Sequence, residues 1–234
     1  MTLPPPRHEG LDDFRVLVLD DHPLLPTGTA VRAGIHRVAD VLVAGGARVE
    51  WHSPLLPDLA EAATLYTQLL FSGSVARFPV DAYEQLRARA ADLDPDDRGL
   101  DATRLRAMVL SHRDWLEVYN RREIHRHSWR QLFGEFGAVV CPITPTPAFP
   151  HDHDPDLLGR RLDIDGVDYP FFDQIIWAGL ATMPGLPATA VPTGRSPEGL
   201  PVGVQLIGPM FEDRTPLRLA ELLEQHLGGF ESPK

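Results

Sequence analysis

The segment that most constrains the fold is residues 185–208, GLPATAVPTGRSPEGLPVGVQLIG. Apolar residues dominate both of its ends. Its middle, Ser196 to Gly199, has proline second and glycine fourth, as a type I turn favours. The segment therefore predicts two strands joined by a turn. Few polar residues interrupt these strands, so we expect both faces of each strand to be covered, as in the centre of an α/β sheet.

Residues 14–52 predict a strand, a helix and a second strand. The first strand is the apolar run FRVLVL at 14–19, and the second is RVEW at 48–51. Between them, Thr29 is the expected cap of a helix that Gly45 ends. The apolar stripe of this helix is Val31, Ile35, Val38 and Leu42. This order and spacing indicate a right-handed parallel crossover.

Residues 53–136 predict a helical segment. Asp58 and Glu61 have the spacing of a capping box, and a shorter helix is expected through Tyr83 and Leu86. A single long helix is then expected from about residue 103 to 136. Its second half is rich in basic residues, which predict a solvated face. These residues are Arg121, Arg122, Arg126 and Arg130.

Residues 137–234 predict a β-rich return and a closing helix. We expect a strand at 138–141, a hairpin that turns at Asp165 and Gly166, and a short helix at 171–181. Thr215 is the expected cap of the last helix. The returning strands are expected beside those of 14–52. The predicted class is therefore α/β, a mixed β-sheet flanked by helices, in one unit over 1–234 with residues 1–13 as a lead-in.

The composition limits which classes of partner and which cellular compartment are expected. The net charge is −11 and no block of basic residues occurs, so neither nucleic acid nor an anionic membrane surface is expected as a partner. No apolar run reaches the ~20 residues of a membrane span, and the start lacks the apolar stretch of a signal peptide. With a single cysteine, Cys141, the chain is expected to be cytoplasmic. No cofactor or metal is expected.

Three local patterns suggest chemistry that the rest of the chain does not support. The acidic pair at 20–21 resembles the opening of a response-regulator receiver domain, but no third strand leads to Asp58 and no lysine precedes Lys234. The His and Asp residues at 151–154 lie in one loop, which is an awkward geometry for a tetrahedral metal site. Cys141 follows two valines in a predicted strand, so a buried structural thiol is favoured over a nucleophile.

An ordered set of motifs resembles the C-terminal end of the amidase signature family. The set comprises GLPA at 185–188, VPTG at 191–194, GLPVGVQLIG at 199–208, and then Glu212-Asp213 with a closing helix. The resemblance extends to VVCP at 139–142 and WAGLAT at 177–182. Two departures concern the substrate, since many members have threonine where this chain has Ile143 and asparagine where it has Thr182.

The resemblance implies the fold of the C-terminal part of these enzymes and a serine acyl-transfer chemistry whose catalytic groups are absent here. Members use a serine nucleophile, a second serine in a cis peptide and a lysine base, all from the N-terminal half. The only glycine-flanked serine pair in this chain is Ser72 and Ser74, and Lys234 is its only lysine. No catalytic residue is therefore assigned. The expected pocket-facing residues are Thr144, Pro145, Trp177, Leu180, Thr182 and Met183.

Three hypotheses follow for the function. The first is the C-terminal portion of an amidase, which supplies sheet and acyl-pocket wall, is inactive alone, and pairs with a missing N-terminal half or with itself through an exposed sheet. In the complete enzyme the substrate is a small amide. The second is a non-catalytic binding or interaction module that retains the half-fold. The third, a Ser/His/Asp hydrolase, is disfavoured because no Gly-x-Ser-x-Gly elbow occurs.

Overall fold

The computed structural model of the protein describes residues 2–229. The strands in this range are β1 (Arg15–Val18), β2 (Arg48–Glu50), β3 (Ala138–Pro142), β4 (Arg161–Ile164), β5 (Val167–Pro170), β6 (Ala188–Arg195) and β7 (Pro201–Ile207). The α-helices are α1 (Thr29–Ala44), α2 (Leu59–Ser74), α3 (Val80–Ala91), α4 (Leu100–Ala107), α5 (His112–Leu132), α6 (Ile176–Thr182) and α7 (Arg214–Leu227). None of these helices is long and apolar enough to span a bilayer.

Five strands form one mixed sheet in the order β2-β1-β3-β7-β6. β1 is parallel to both β2 and β3, while β7 is antiparallel to both β3 and β6. β4 and β5 pair separately as a hairpin. The predicted mixed α/β sheet, with the returning strands beside those of the first unit, is confirmed.

The sheet has an apolar core on each face. Val16 and Val18 of β1 pack towards α1 and α7, whereas Leu17 packs on the opposite face with residues of α2, α5 and α6. Both sides of β1 and β3 are therefore covered, as their continuous apolar runs predict. Each fully buried aliphatic side chain contributes roughly 1.5–3 kcal/mol to folding, so the two cores together dominate the stability of the sheet.

The predicted long helix at 103–136 is wrong, because the structure divides it into α4 and α5. Ser111 is the N-cap of α5, and its hydroxyl accepts a hydrogen bond of 3.1 Å from the backbone N–H of Asp114. Because the Ser111 hydroxyl satisfies a backbone N–H at this point, a new helix can begin here instead of α4 continuing. The apolar periodicity continues across this break and therefore did not reveal it.

The cap of α1 is supplied by a distant residue rather than by Thr29. Thr29 is the first residue of the helix and Gly28 is the N-cap. Gly28 has no side chain that could accept a hydrogen bond from the helix. The carboxylate of Asp165, in the turn between β4 and β5, accepts from both the backbone N–H (2.8 Å) and the hydroxyl (2.7 Å) of Thr29. This contact fastens the hairpin to the start of α1.

The predicted cap of α7 is also wrong. Asp213 is the N-cap, and Thr215 is fully buried within the first turn. The Thr215 hydroxyl instead accepts the backbone N–H of Arg7 at 3.2 Å. The Arg7 guanidinium also pairs with Glu212, which fixes residue 7 of the N-terminal segment against the start of α7.

Strand β6 forms one edge of the sheet and is covered on only one face. Val191 and Thr193 are buried on the side of α1 and α7. The alternate residues, which point to the opposite side, are exposed. They are Ala188, Ala190, Pro192 and Gly194. Among the described residues, β6 therefore presents an open edge and an open face of small side chains.

We predict that Asp165→Ala lowers the free energy of unfolding by about 1 kcal/mol, in the range of roughly 0.5–2 kcal/mol typical of a lost helix cap. Asp165→Asn retains an acceptor oxygen and tolerates the positive φ of 52° at this position. The Asn variant should therefore keep most of the stability. Urea denaturation checks both variants, and equal stability of Asp165→Ala and the parent would contradict the capping role.

Candidate functional site

The six residues predicted to face a pocket lie in different surroundings. Trp177 and Leu180 of α6 are buried in the core, with 0% and 1% of their surface exposed. Pro145 is also buried, and its carbonyl accepts the N–H of Gly28 at 2.8 Å. Thr144 lies beside Pro145, and its hydroxyl donates to the carbonyl of Thr146. These four side chains do not line the cavity described next.

Thr182 and Met183 line a cavity of about 300 Å³ between α2, α5 and the end of α6. We call it the α2–α5 cavity. Its wall is largely apolar and aromatic, as is usual for small-molecule sites. The other residues that line it are Tyr66, Leu69, Leu70, Trp115, Tyr119 and Arg122.

A glycine allows α6 to approach α2 closely enough to form this cavity. A Cβ atom added at Gly179 would lie 2.5 Å from Cδ1 of Tyr66, so any larger residue would push the helices apart. Thr182, one turn further along, forms a side-chain hydrogen bond with Tyr66. Burial raises the pKa of the Tyr66 phenol, although this hydrogen bond opposes the shift. Tyr66 is therefore a neutral hydrogen-bonding group near pH 7.

Arg122 is the cationic residue of this wall, although its sequence pattern predicts a solvated face. Its Nε donates to the carbonyl of Met183 at 2.6 Å, and its guanidinium lies 5.3 Å from the centre of the Tyr119 ring. The side chain is thus held between the end of α6 and an aromatic ring. The only sequence signal for this position was its spacing of three and seven residues from Tyr119 and Trp115.

A second basic residue of the predicted solvated face bonds to α2. Arg121 and His125 both contact the Glu61 carboxylate, at 2.6 Å and 3.1 Å. The hydrogen bond from Arg121 is the main cause that lowers the pKa of Glu61, and His125 acts in the same direction. His125 itself is 5% exposed. Arg121 thus remains at the surface, with 43% of its side chain exposed, while it is paired with Glu61.

His22 occupies the loop that follows the carboxyl end of β1, where α/β sheets often place functional groups. It is 4% exposed, and its ring meets the Trp177 ring edge-on at a centroid distance of 5.3 Å. Its Nδ1 accepts the backbone N–H of Leu24 at 3.2 Å. Burial lowers the pKa of His22 to about 4, while the nearby carboxylates Asp21 and Asp58 partly oppose the shift. The ring is therefore neutral near pH 7.

Ser72, Ser74 and Cys141 are not arranged as a nucleophile with a base. Ser72 and Ser74 donate to carbonyls of their own helix, at 3.0 Å and 2.8 Å. Cys141 is buried as predicted, and burial raises the pKa of its thiol. Lys234 lies outside the described residues. Within residues 2–229, no group of three or more His, Cys, Asp or Glu side chains is placed to hold a metal ion.

The amidase family model matches residues 2–217. The chain therefore belongs to the amidase family, and its mixed sheet flanked by helices is the fold of amidase-signature structures. Among curated relatives, a glutamyl-tRNA(Gln) amidotransferase subunit of Exiguobacterium sp. is 33% identical over 221 residues, covering 87% of this chain and 43% of the relative. The protein of the same name from Xanthobacter autotrophicus is 33% identical over 156 residues, covering 66% of this chain and 30% of the relative.

Solved structures agree with this assignment at the level of the fold. The corresponding glutamyl-tRNA(Gln) amidotransferase subunit from Thermotoga maritima superposes with a TM-score of 0.68 at 20% identity, over 97% of this chain and 46% of that one. A crystal structure of an amidase gives 0.65 at 23% identity, over 97% and 48%. The chain spans less than half the length of these relatives.

We predict that His22 makes stability depend on pH below neutrality. Because the pKa of the folded state is near 4 and the ordinary value is 6.5, the unfolded chain takes up the proton first as the pH falls. The stabilisation is present above about pH 6.5 and is lost towards pH 4, by about 3 kcal/mol in total. The free energy of unfolding should therefore fall more steeply for the parent than for His22→Gln between about pH 7.5 and 4.5. Parallel pH profiles for the two proteins would contradict this prediction.

Proposed function

We propose that this chain forms the C-terminal part of an amidase-type hydrolase that cleaves carboxylic amides by serine acyl transfer. The observation that carries the proposal is the family match over residues 2–217, which corresponds to less than half of each related chain. In this part of the enzyme, the chain supplies strands of the central sheet and a wall of the acyl pocket. The amide-bond chemistry itself requires groups that other residues must provide.

The α2–α5 cavity supports the assignment of a pocket wall. Thr182 and Met183 lie at its edge, where the hydroxyl of Thr182 bonds to Tyr66 and the carbonyl of Met183 holds Arg122. These polar groups are few and fixed, and the surrounding wall is apolar, which suits the orientation of a small amide. For Thr144, Pro145, Trp177 and Leu180, a role at the pocket stays a prediction.

The surroundings of Ser72 and Ser74 support the proposal that this chain does not hydrolyse amides alone. A serine hydroxyl needs a neighbouring base to become a good nucleophile, and hydrogen-bond donors must then stabilise the oxyanion. Ser72 and Ser74 are bonded to helix carbonyls instead. No lysine precedes Lys234 in the sequence. The lysine-assisted mechanism of the family therefore requires a base from another segment.

The open face of β6 supports a protein partner for the chain. Exposed small residues such as Ala188 and Ala190 leave room for close packing, and the open strand edge has backbone groups available for pairing. We infer that an N-terminal catalytic half occupies this surface, and that self-association replaces it when that half is absent. Related proteins carry the name of an amidotransferase subunit, which is consistent with function in an assembly. A cytoplasmic location remains part of this proposal.

The alternative is a non-catalytic binding module that retains the half-fold. A wall that binds an amide would serve such a module as well as an enzyme. The two functions differ in what happens when a catalytic half is supplied, because only the first then turns over substrate.

We predict that mixing this chain with the N-terminal half of the Exiguobacterium relative restores amide hydrolysis. Ammonia release should be measured with glutamine, butanamide and benzamide as substrates. The chain alone should show only the background rate, because loss of the nucleophile or base costs several orders of magnitude in rate. The control is the same N-terminal half with its nucleophilic serine changed to alanine.

Two outcomes would count against this proposal. Ammonia release by the chain alone would show that its own residues form a complete active site. A stable complex of the two halves that binds an amide without hydrolysing it would favour the binding module.

A further inference from the structure

A second cavity adjoins the α2–α5 cavity on the same pair of helices. It has a volume of about 560 Å³ and is lined by Leu69, Ser72, Gly73, Leu110, His112 and Trp115. We call it the distal cavity. Leu69 and Trp115 line both cavities. The two are therefore successive compartments of one groove that runs along α2 and the first half of α5.

A column of aromatic rings forms the α5 wall of this groove. The rings of His112 and Trp115 are parallel within 9° at a centroid distance of 6.3 Å, and those of Trp115 and Tyr119 are 5.2 Å apart at 23°. Arg122 follows, over the Tyr119 ring. Arg122 is ten positions after His112 in α5. Since an α-helix rises ~1.5 Å per residue, the column is about 15 Å long. Stacking on one another holds these side chains as a firm wall.

The α2 wall is apolar, and part of it faces solvent. Leu69 is half-buried, and Leu70 is 42% exposed although it lines the α2–α5 cavity. The charged side chain among the residues that line the two cavities is Arg122, at one end of the groove. Such a groove fits an elongated apolar group better than a charged or a compact polar one.

Gly73 lines the distal cavity from an exposed position near the C-terminal end of α2. A Cβ atom added at Gly73 would meet no atom within 4 Å, so no neighbour requires the small residue. Its φ is not among the positive values that favour glycine, and it lies within α2. A helical glycine costs roughly 0.5–1 kcal/mol relative to alanine. A side chain added at Gly73 would therefore project into open space beside the distal cavity.

We propose that this groove selects amides that carry an elongated apolar substituent, either alkyl or aryl. The amide end lies at Thr182 and Met183, and the substituent extends past Trp115 into the distal cavity. This inference rests on the proposed function, because it takes the α2–α5 cavity as the wall of the amide pocket. A short amide fills only that first cavity and leaves the distal cavity, with Leu110 and His112, in contact with water.

The test is amide binding by the chain itself, measured by calorimetry and by tryptophan fluorescence. Butanamide, hexanamide, octanamide and 4-phenylbutanamide form a series of increasing length. Trp115 is a suitable reporter because it is partly exposed and lines both cavities, whereas Trp129 and Trp177 are buried and Trp51 packs on the opposite face of the sheet. Each added methylene should lower the dissociation constant about fourfold, as expected for burial of a CH₂ group, until the groove is filled.

Gly73→Leu should place a side chain at the exposed mouth of the distal cavity. We expect this variant to weaken octanamide binding at least about tenfold more than it weakens butanamide binding, since the lost contacts are those of the distal methylenes. Gly73→Ala is the matched control, because it adds only one carbon at a position with open space and should keep most of the octanamide affinity. Circular dichroism and thermal melting establish that both variants are folded.

A second pair of variants tests the aromatic wall. Trp115→Ala should reduce the affinity for octanamide and 4-phenylbutanamide about tenfold or more, in line with the loss of a large buried contact. Leu116→Ala is the matched control. Leu116 is the next residue of α5, is 46% exposed and lines neither cavity, so its truncation should leave both affinities unchanged.

The outcomes separate this inference from the proposed function. Affinities that do not depend on length, or that respond equally to Gly73→Leu for long and short amides, would overturn the groove. If the reconstituted enzyme still hydrolyses these amides without a length preference, the proposed function stands and the groove fails. Length-dependent binding that Gly73→Leu abolishes, with no hydrolysis by the reconstituted pair, supports the groove and overturns the proposed function.

Discussion

The side-chain amide of Gln205 joins the three parts of the structure on which the candidate site depends. From its position on β7, its Nε2 donates to the carbonyl of Pro142 at the end of β3 (2.8 Å) and to the carbonyl of Trp177 in α6 (2.9 Å). Buried polar groups that lose their partners cost about 1–3 kcal/mol, so this arrangement is strongly preferred over its alternatives. It fixes α6 against the sheet and thereby places Thr182 and Met183.

Close contacts with α2, α4 and α5 also fix the position of α6. Gly179 permits direct packing on Tyr66, and Arg122 reaches the carbonyl of Met183. A buried ion pair between Arg104 and Asp173 joins α4 to the turn that precedes α6, at 2.7 Å. Burial raises the pKa of Asp173, and the hydrogen bond from Arg104 opposes the shift. The candidate site thus lies between three helices, one of which is held by the sheet, rather than on a single element.

The open groove and the open face of β6 lie on a molecule whose two cores are otherwise complete. Core residues of β1 and β3 have almost no exposed surface, so the sheet does not require another segment to bury its centre. Exposed apolar side chains remain at the groove, with Leu70 on α2 and Tyr119 in the aromatic column of α5 among them. Exposed apolar surface of this kind marks binding surfaces more often than folding defects.

The sequence alone determined the strands, most of the helices, the mixed sheet and the family, because apolar periodicity, turn residues and short motifs act over a few neighbouring positions. It also singled out Thr182 and Met183, whose role at a pocket stays a prediction. Only the tertiary structure decided that Asp165 caps α1, that Arg122 bonds to the end of α6, and that Gly73 lies beside a groove. These properties join residues that are far apart in the chain. No local sequence pattern predicts them, because the sequence identifies a carboxylate, a guanidinium or a glycine but not the residues that it contacts after folding.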